Sequence, residues 1–297
     1  MRVDPSYITN LVSALDQTQG AQEQYTEELS SGVSLTSLSS NPVAAGENVL
    51  LLNQIQQDDS YSTSAGEITG QLQVADSALG SVVSQLTQAV SLAMSANNGT
   101  MNASQVNSVA TQLEGIRGEV LQLANTSYQG QYIFAGSMTS TAPFDSAGNY
   151  QGDTLVNQLV TPNNQNIQLN VPGSQIFNGG GNTAVSVFGA LSALIADYSG
   201  TTVNETQATA DTSTLNAALN WVSQQRVTID NSTNQLSASS SAATSEANQL
   251  TASQTNLIQT DVAQVSTQLS TSETQATAIE DTIAQLGSES LFDKLQY

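Results

Sequence analysis

The chain has no cysteine and no histidine among its 297 residues, and only four basic side chains, Arg2, Arg117, Arg226 and Lys294, stand against 25 acidic ones. Without cysteine there are no disulfides, thiolate metal sites or cysteine nucleophiles. Without histidine the usual general base and the commonest transition-metal ligand are gone. The formal charge of −21 repels phosphate backbones and anionic bilayers alike, and so few cations displace few counterions. The expectation is therefore no nucleic acid and no membrane as partner. No run approaches the roughly 20 apolar residues of a membrane span. The opening "MRVDPSYITNLVSALDQ" has neither the apolar core nor the small-residue cleavage site of a secretory leader. These features predict a soluble chain that does not leave by the general secretory route.

Apolar residues make up 38% of the chain and aromatics 5%, so the core has to be thin and built from aliphatic stripes. Such stripes are present. Apolar residues recur in alternating steps of three and four, the narrow seam of long helices packed nearly parallel. One seam runs through Ile8, Leu11, Leu15, Tyr25 and Leu29, with Thr18 and Gln22 in its middle positions. A second runs from Ile68 through Leu72, Leu79, Val82 and Leu86 to Ala93, and a third from Val106 to Leu123. The fourth comprises Ile258, Val262, Val265, Leu269, Ala276, Ile279, Ile283 and Leu286, interrupted by Ser272.

Between 201 and 286 there is neither Gly nor Pro, and Leu215, Val222, Ile229, Leu236, Ala243, Leu250 and Leu257 recur every seventh position. A wholly helical segment there would extend about 130 Å at about 1.5 Å per residue. Its companion positions, Arg226, Thr233, Ser240 and Gln254, are polar. The Ser-rich stretch 231–247 is accordingly expected to be a helix with a shallow interface and a place where the helix could break, a flexible linker being the other reading. Asn41 or Ser40 before Pro42 marks a helix start, and "SANNGT" marks a helix end near Asn97 to Gly99.

The middle differs. "YIFAGS", "NYQGDTLVNQLV" and "QNIQLNVPGSQIF" carry β-branched and aromatic residues in short runs bounded by Pro143, Gly148, Pro162, Pro172 and "NGGGN". Helix resumes near Val185, with Phe188, Leu191, Ile195 and Tyr198 on one face. The expected fold is mainly α with a β-rich insert: long antiparallel helices in a coiled-coil-like bundle, N- and C-terminal helices paired, and a small β domain in the middle. Three domains are expected: 1–40 with 251–297, 41–130 with 183–250, and the insert 131–182.

The acidic pairs Glu27 and Glu28, Asp58 and Asp59, and Glu280 and Asp281 are adjacent in sequence, and helix neighbours diverge by about 100° rather than facing one site. No nucleophile elbow, phosphate loop or dinucleotide fingerprint occurs. No catalytic residue, metal ligand or cofactor is expected, and the chain is expected not to be an enzyme.

Three stretches together carry a resemblance. "YTEELSSGVSLTSLSSNPVAAGENVLL", Tyr25 to Leu52, is similar to the flagellin-type segment in which a Leu-Ser-Ser-Gly turn precedes an Asp-Asp-Pro-Ala-type helix start; Leu29, Ser30, Ser31, Gly32, Pro42 and Ala44 match, while Asn41 stands where that segment is usually acidic. "NTSYQGQYIFAGS" is similar to the aromatic and glycine segment at the entry to the variable domain, and "SESLFDKL" to a common junction-protein ending. The chain thus resembles the bacterial flagellar axial proteins of the flagellin superfamily, and among them the hook-filament junction family.

The resemblance implies a structural adaptor of the bacterial flagellum, extracellular at the hook-filament junction and exported by the type III route without a cleaved signal peptide. It also implies as partners other copies of itself in a ring, flagellin, another hook-associated protein, and a secretion chaperone at the C-terminal region. The expected assembly interface is Ile8, Leu11, Leu15, Leu29, Ile258, Val262, Val265, Leu269, Ile279, Ile283, Leu286, Leu291 and Phe292. At the entry to the insert Gly130 and Gly136 would permit tight turns while Tyr132 and Phe134 fasten it, making a domain hinge. A flagellin-like filament subunit is the alternative; a secreted fibrous adhesin is less favoured, and a carboxylate-dependent hydrolase comes last.

Overall fold

The computed structural model describes residues 5–35, 41–97, 101–182, 185–200 and 202–292, with side chains from 6 to 286 within those ranges. Seven α-helices are described: α1 (Pro5–Ser31), α2 (Pro42–Ala96), α3 (Ala103–Ala124), α4 (Gly173–Phe177), α5 (Val187–Tyr198), α6 (Glu205–Ile258) and α7 (Val262–Phe292). Between α3 and α4 lie two antiparallel pairs, β1 (Ser127–Tyr128) with β2 (Gln131–Tyr132), and β3 (Gln158–Val160) with β4 (Asn166–Gln168). The fold is mainly helical with a small β insert, and strand content within the insert is low.

Helix boundaries follow local chemistry. Asn41 Oδ1 accepts from the Ala44 amide at 3.1 Å, and Pro42, which has no amide hydrogen to satisfy, opens α2. Asn102 and Gln105 form a reciprocal capping box at the start of α3, each backbone N–H donating to the other's side chain at 3.0 and 2.9 Å. Ser186 caps α5 by accepting from Gly189 N. The expected end of α2 at Asn97 to Gly99 falls one residue beyond Ala96; residues 98–100 lie outside the described ones.

The chain divides into two units: 1–57 with 246–297, and 58–245. The dividing line runs through α2 and α6. In the 58–245 unit one hydrophobic cluster draws on α2, α3, α5, α6 and the insert, and the expected seam residues Leu72, Leu79, Val82, Leu86, Leu113, Val120, Leu215 and Val222 are all buried in it. Its largest fully buried side chains span Leu79 to Leu236. The insert contributes an aromatic group: Phe144 stands 5.2 Å from each of Phe177, Phe188 and Tyr150, and Phe134 lies 5.7 Å from Phe177.

For the long C-terminal segment the expected helix over 231–247 is present, while its expected continuation through 286 changes. Residues 231–247 form neither a break nor a linker. Ile229, Leu236 and Ala243 stay buried, and the Ser62 hydroxyl hydrogen-bonds the hydroxyls of Ser240 and Thr244 at 3.2 and 3.1 Å. Small hydroxyl side chains there let two helices share polar contacts where apolar ones are missing. The helix instead stops at Ile258 and restarts at Val262, at a point with no Gly or Pro. Asp261 Oδ1 accepts from the amides of Ala263 and Gln264, both at 3.1 Å, so it caps α7.

Candidate assembly interface

The 1–57 with 246–297 unit places α1 against α7. The two helices are joined at one end through the residues that follow α1. Gly32, at φ +71°, donates to Glu28 O at 2.9 Å and ends the helix in the left-handed conformation that glycine tolerates. Val33 then pairs antiparallel with Gln259. Ser34 N donates to Ile258 O at 2.7 Å, Ser34 Oγ to the same carbonyl at 3.0 Å, and Thr260 N to Gly32 O at 3.1 Å. The Leu-Ser-Ser-Gly turn is thus stitched to the gap between α6 and α7, which explains why the helix breaks there: its free backbone groups are satisfied by another segment.

This unit has little core. Among the described residues Val265 is its one large apolar side chain below a tenth exposed, at 6%, and the other buried apolar ones are Ala44, Ala45, Ala247 and Ala276. Of the expected interface residues, Leu11, Leu15, Leu29, Ile258, Leu269, Ile279, Ile283 and Leu286 are half-buried. Ile8 is 39% exposed and Val262 58%. The side chains of Leu291 and Phe292 lie outside the described residues. Tyr7, Val12, Val43, Val49, Leu50 and Leu52 are exposed as well, Val43 at 80%. None of these six was singled out from sequence, because an exposed apolar residue on a helix reads like any other seam residue until the neighbours are placed.

The α1–α7 seam is open in its middle. A groove of about 710 Å³ is lined by Ala14, Gln17, Thr18, Ala21 and Tyr25 on one side and by Thr271, Ser272, Gln275, Ala278 and Ile279 on the other. Every one of these residues is uncharged. Ser272 is buried, and its hydroxyl has no partner among the described residues. Thr18 and Ser272, which interrupt the seams in the sequence, thus both lie at the opening.

At the entry to the insert, β1 and β2 are joined by Gln129 and Gly130, at φ +51° and +81°, the geometry of a tight hairpin. Gly136, at φ +73°, lies against Asp153, whose carboxylate accepts from Ser137 N at 2.8 Å and pairs with the Ser137 hydroxyl. These bonds hold the Asp153 carboxyl below the usual carboxylate range. Phe134 is buried at 1% and Tyr132 half-buried. Among the described residues no group of three or more acidic side chains is placed to hold a metal ion, and no helix is long and apolar enough to cross a membrane.

Residues 7–139 match the family described as the bacterial flagellin N-terminal helical region. The segment holding α1, α2, α3 and the first hairpin is thus similar to a flagellin-type helical region. More particularly, the chain is 33% identical over 170 residues to the flagellar hook-associated protein 3 of Salmonella typhimurium, a match covering 56% of this chain and 53% of that one. It is 34% identical over 137 residues to the protein of the same name from Escherichia coli, over 46% and 43% of the two chains. The chain thus spans about half the length of the curated relatives it matches. Among solved structures, it resembles a flagellar hook-associated protein from Vibrio parahaemolyticus with a TM-score of 0.67 at 19% identity, over 74% of this chain and 100% of that one. It also resembles flagellar hook-associated protein 3 from Legionella pneumophila, with a TM-score of 0.61 at 14% identity, over 70% and 98%. Those two likenesses establish the fold: long helices with a small β insert. The first two of the three short motifs, Tyr25 to Leu52 and Asn125 to Ser137, lie within the matched segment.

Proposed function

We propose that the chain is a structural adaptor of the bacterial flagellum that joins the hook-associated zone to the flagellin filament and acts without a catalytic cycle. The observation that carries this reading is the identity to proteins named hook-associated protein 3. Physical support comes from the distribution of apolar surface. The 58–245 unit buries most of its aliphatic residues within itself, whereas the 1–57 with 246–297 unit leaves its apolar stripes half-exposed. An isolated two-helix seam with polar gaps is marginal in water, and apolar surface contributes about 25 cal/mol per Å² once covered. In this account α1 and α7 complete their core by stacking against neighbouring copies, flagellin and another hook-associated protein. Ile8, Leu11, Leu15, Leu29, Val262, Val265, Leu269 and Ile279 contribute to that core.

The charge of −21 opposes premature association, most strongly at low salt. Contacts between unlike faces of successive copies permit helical growth. Export through the flagellar type III route and a chaperone at the C-terminal region complete the proposal. The test is immunogold electron microscopy with antibody to the insert, residues 140–182. One spot where hook meets filament is the expected result; label along the whole filament makes the chain a flagellin, and label on other fibres overturns the adaptor.

A further inference from the structure

One cavity lies between the insert and α6. It measures about 610 Å³, within the roughly 300–1,000 Å³ typical of small-molecule sites. Its wall on α6 is Trp221, the sole tryptophan. The indole is half-buried, stands outside the hydrophobic cluster of its unit, and is fixed in orientation because Nε1–H donates to Gln175 O at 2.7 Å. Thr154, Pro172 and Ser174 line the cavity, and Gly180 and Gly181, at φ +64° and +100°, form a rim beside which a Cβ would meet open space. No lining residue is charged, in a chain with 25 acids. The Gln175 backbone is engaged, its N–H donating to Pro172 O at 2.9 Å and its carbonyl accepting from Trp221, whereas its side-chain amide and the Thr154 hydroxyl are left to act as donor and acceptor in the cavity.

We infer that this cavity binds a neutral saccharide, with the Trp221 indole as its stacking wall. A pyranose presents C–H groups on one face, weakly positive and apolar, which suit the negative face of an aromatic ring. Its rim of hydroxyls requires uncharged partners that both donate and accept, as an amide and a hydroxyl do. An anion finds no cation here, and a cation finds one ring rather than a cage and no carboxylate. The inference is independent of the adaptor reading.

Because Trp221 is the sole tryptophan, fluorescence excited at the red edge, where the eight tyrosines do not absorb, reads this cavity alone. Maltose, cellobiose and N,N′-diacetylchitobiose are titrated in, with calorimetry in parallel. The expected result is a saturable emission shift with at least one disaccharide, at a Kd on the order of millimolar. Gln175→Ala keeps the carbonyl that anchors the indole and weakens binding about tenfold, and Trp221→Ala abolishes the calorimetric signal with the circular dichroism spectrum unchanged. Retention on amylose, cellulose or chitin beads identifies a surface glycan as the source, and binding of free disaccharide alone identifies a solute. No saturable shift with any of the three overturns the inference. So does an affinity unchanged in Gln175→Ala, or a shift produced by a proline-rich peptide and by no sugar.

Discussion

Arg226 on α6 meets Asp76 on α2 at two points, Nε donating to Oδ1 at 2.7 Å and Nη2 to Oδ2 at 3.0 Å. Arg226 occupies a position that in the seventh-residue pattern reads as a polar gap in the seam. The fork geometry fills that gap with a planar ion pair, and the hydrogen bonds to Asp76 raise the guanidinium above its ordinary value. Both side chains are about a third exposed, so water screens the pair. Asp76→Ala is expected to lower the stability of the 58–245 unit by about 1 kcal/mol in urea melts, and Arg226→Lys to lose part of it, since an ammonium cannot engage both oxygens.

Gly173 opens α4 at a crowded point. A Cβ there would stand 2.8 Å from Phe144 Cε2, 2.9 Å from Tyr150 Cε2 and 3.0 Å from Phe134 O. The glycine amide donates to that same oxygen at 2.7 Å. Gly173→Ala is expected to displace two rings and strain the bond, destabilising the unit by about 1–3 kcal/mol. Thermal unfolding followed in the near ultraviolet checks this.

Asp197 on α5 neighbours Asp211 on α6. Burial first, then the interaction with the Asp211 carboxyl and its charge, push Asp197 up to about 6. Its value in the unfolded chain is about 3.9. The folded state therefore holds this proton more tightly, so stability from the pair is full below about pH 4 and is lost as pH rises toward about 6. Asp197→Asn is expected to flatten that part of the stability profile and to raise stability at neutral pH by about 1 kcal/mol, allowing for the partial exposure of the group. Urea melts at closely spaced pH values measure it.

Leu269 and Ile279 lie half-buried on α7. Leu269→Asp and Ile279→Asp are each expected to abolish incorporation into flagella while the unfolding transition of the 58–245 unit stays within about 0.5 kcal/mol of the parent, because no core residue of that unit is touched. Counting labelled copies on isolated flagella decides it; normal incorporation of both variants contradicts the interface.

The helical part of this fold was legible because aliphatic spacing is a local property. The seam from Leu72 to Ala93 and the start at Asn41 and Pro42 are written in neighbouring residues, and the burial of the one and the cap of the other follow from them. What escaped depends on distant partners. The stop at Ile258 exists because Gly32, Val33 and Ser34 return to bond Ile258 and Thr260, and Asp261 by itself reads as one more polar residue on a helix face. Phe134 stood out beside its glycines, but Phe144, Phe177 and Phe188 have no common period, and only tertiary packing brings them together. The exposed Val43 and Leu50, in turn, owe their position to what is not packed on α2. Composition gave no warning of the cavity at Trp221, since its lining comes from four separate segments.

On the proposed reading the 1–57 with 246–297 unit gains its core on assembly. Amide hydrogen exchange of the isolated chain and of the assembled form tests it most directly. Residues 6–31 and 262–286 are expected to exchange orders of magnitude faster than residues 72–93 and 106–123 in the isolated chain, and to become comparably protected in the assembly. Equal protection of all four segments in the isolated chain would contradict it.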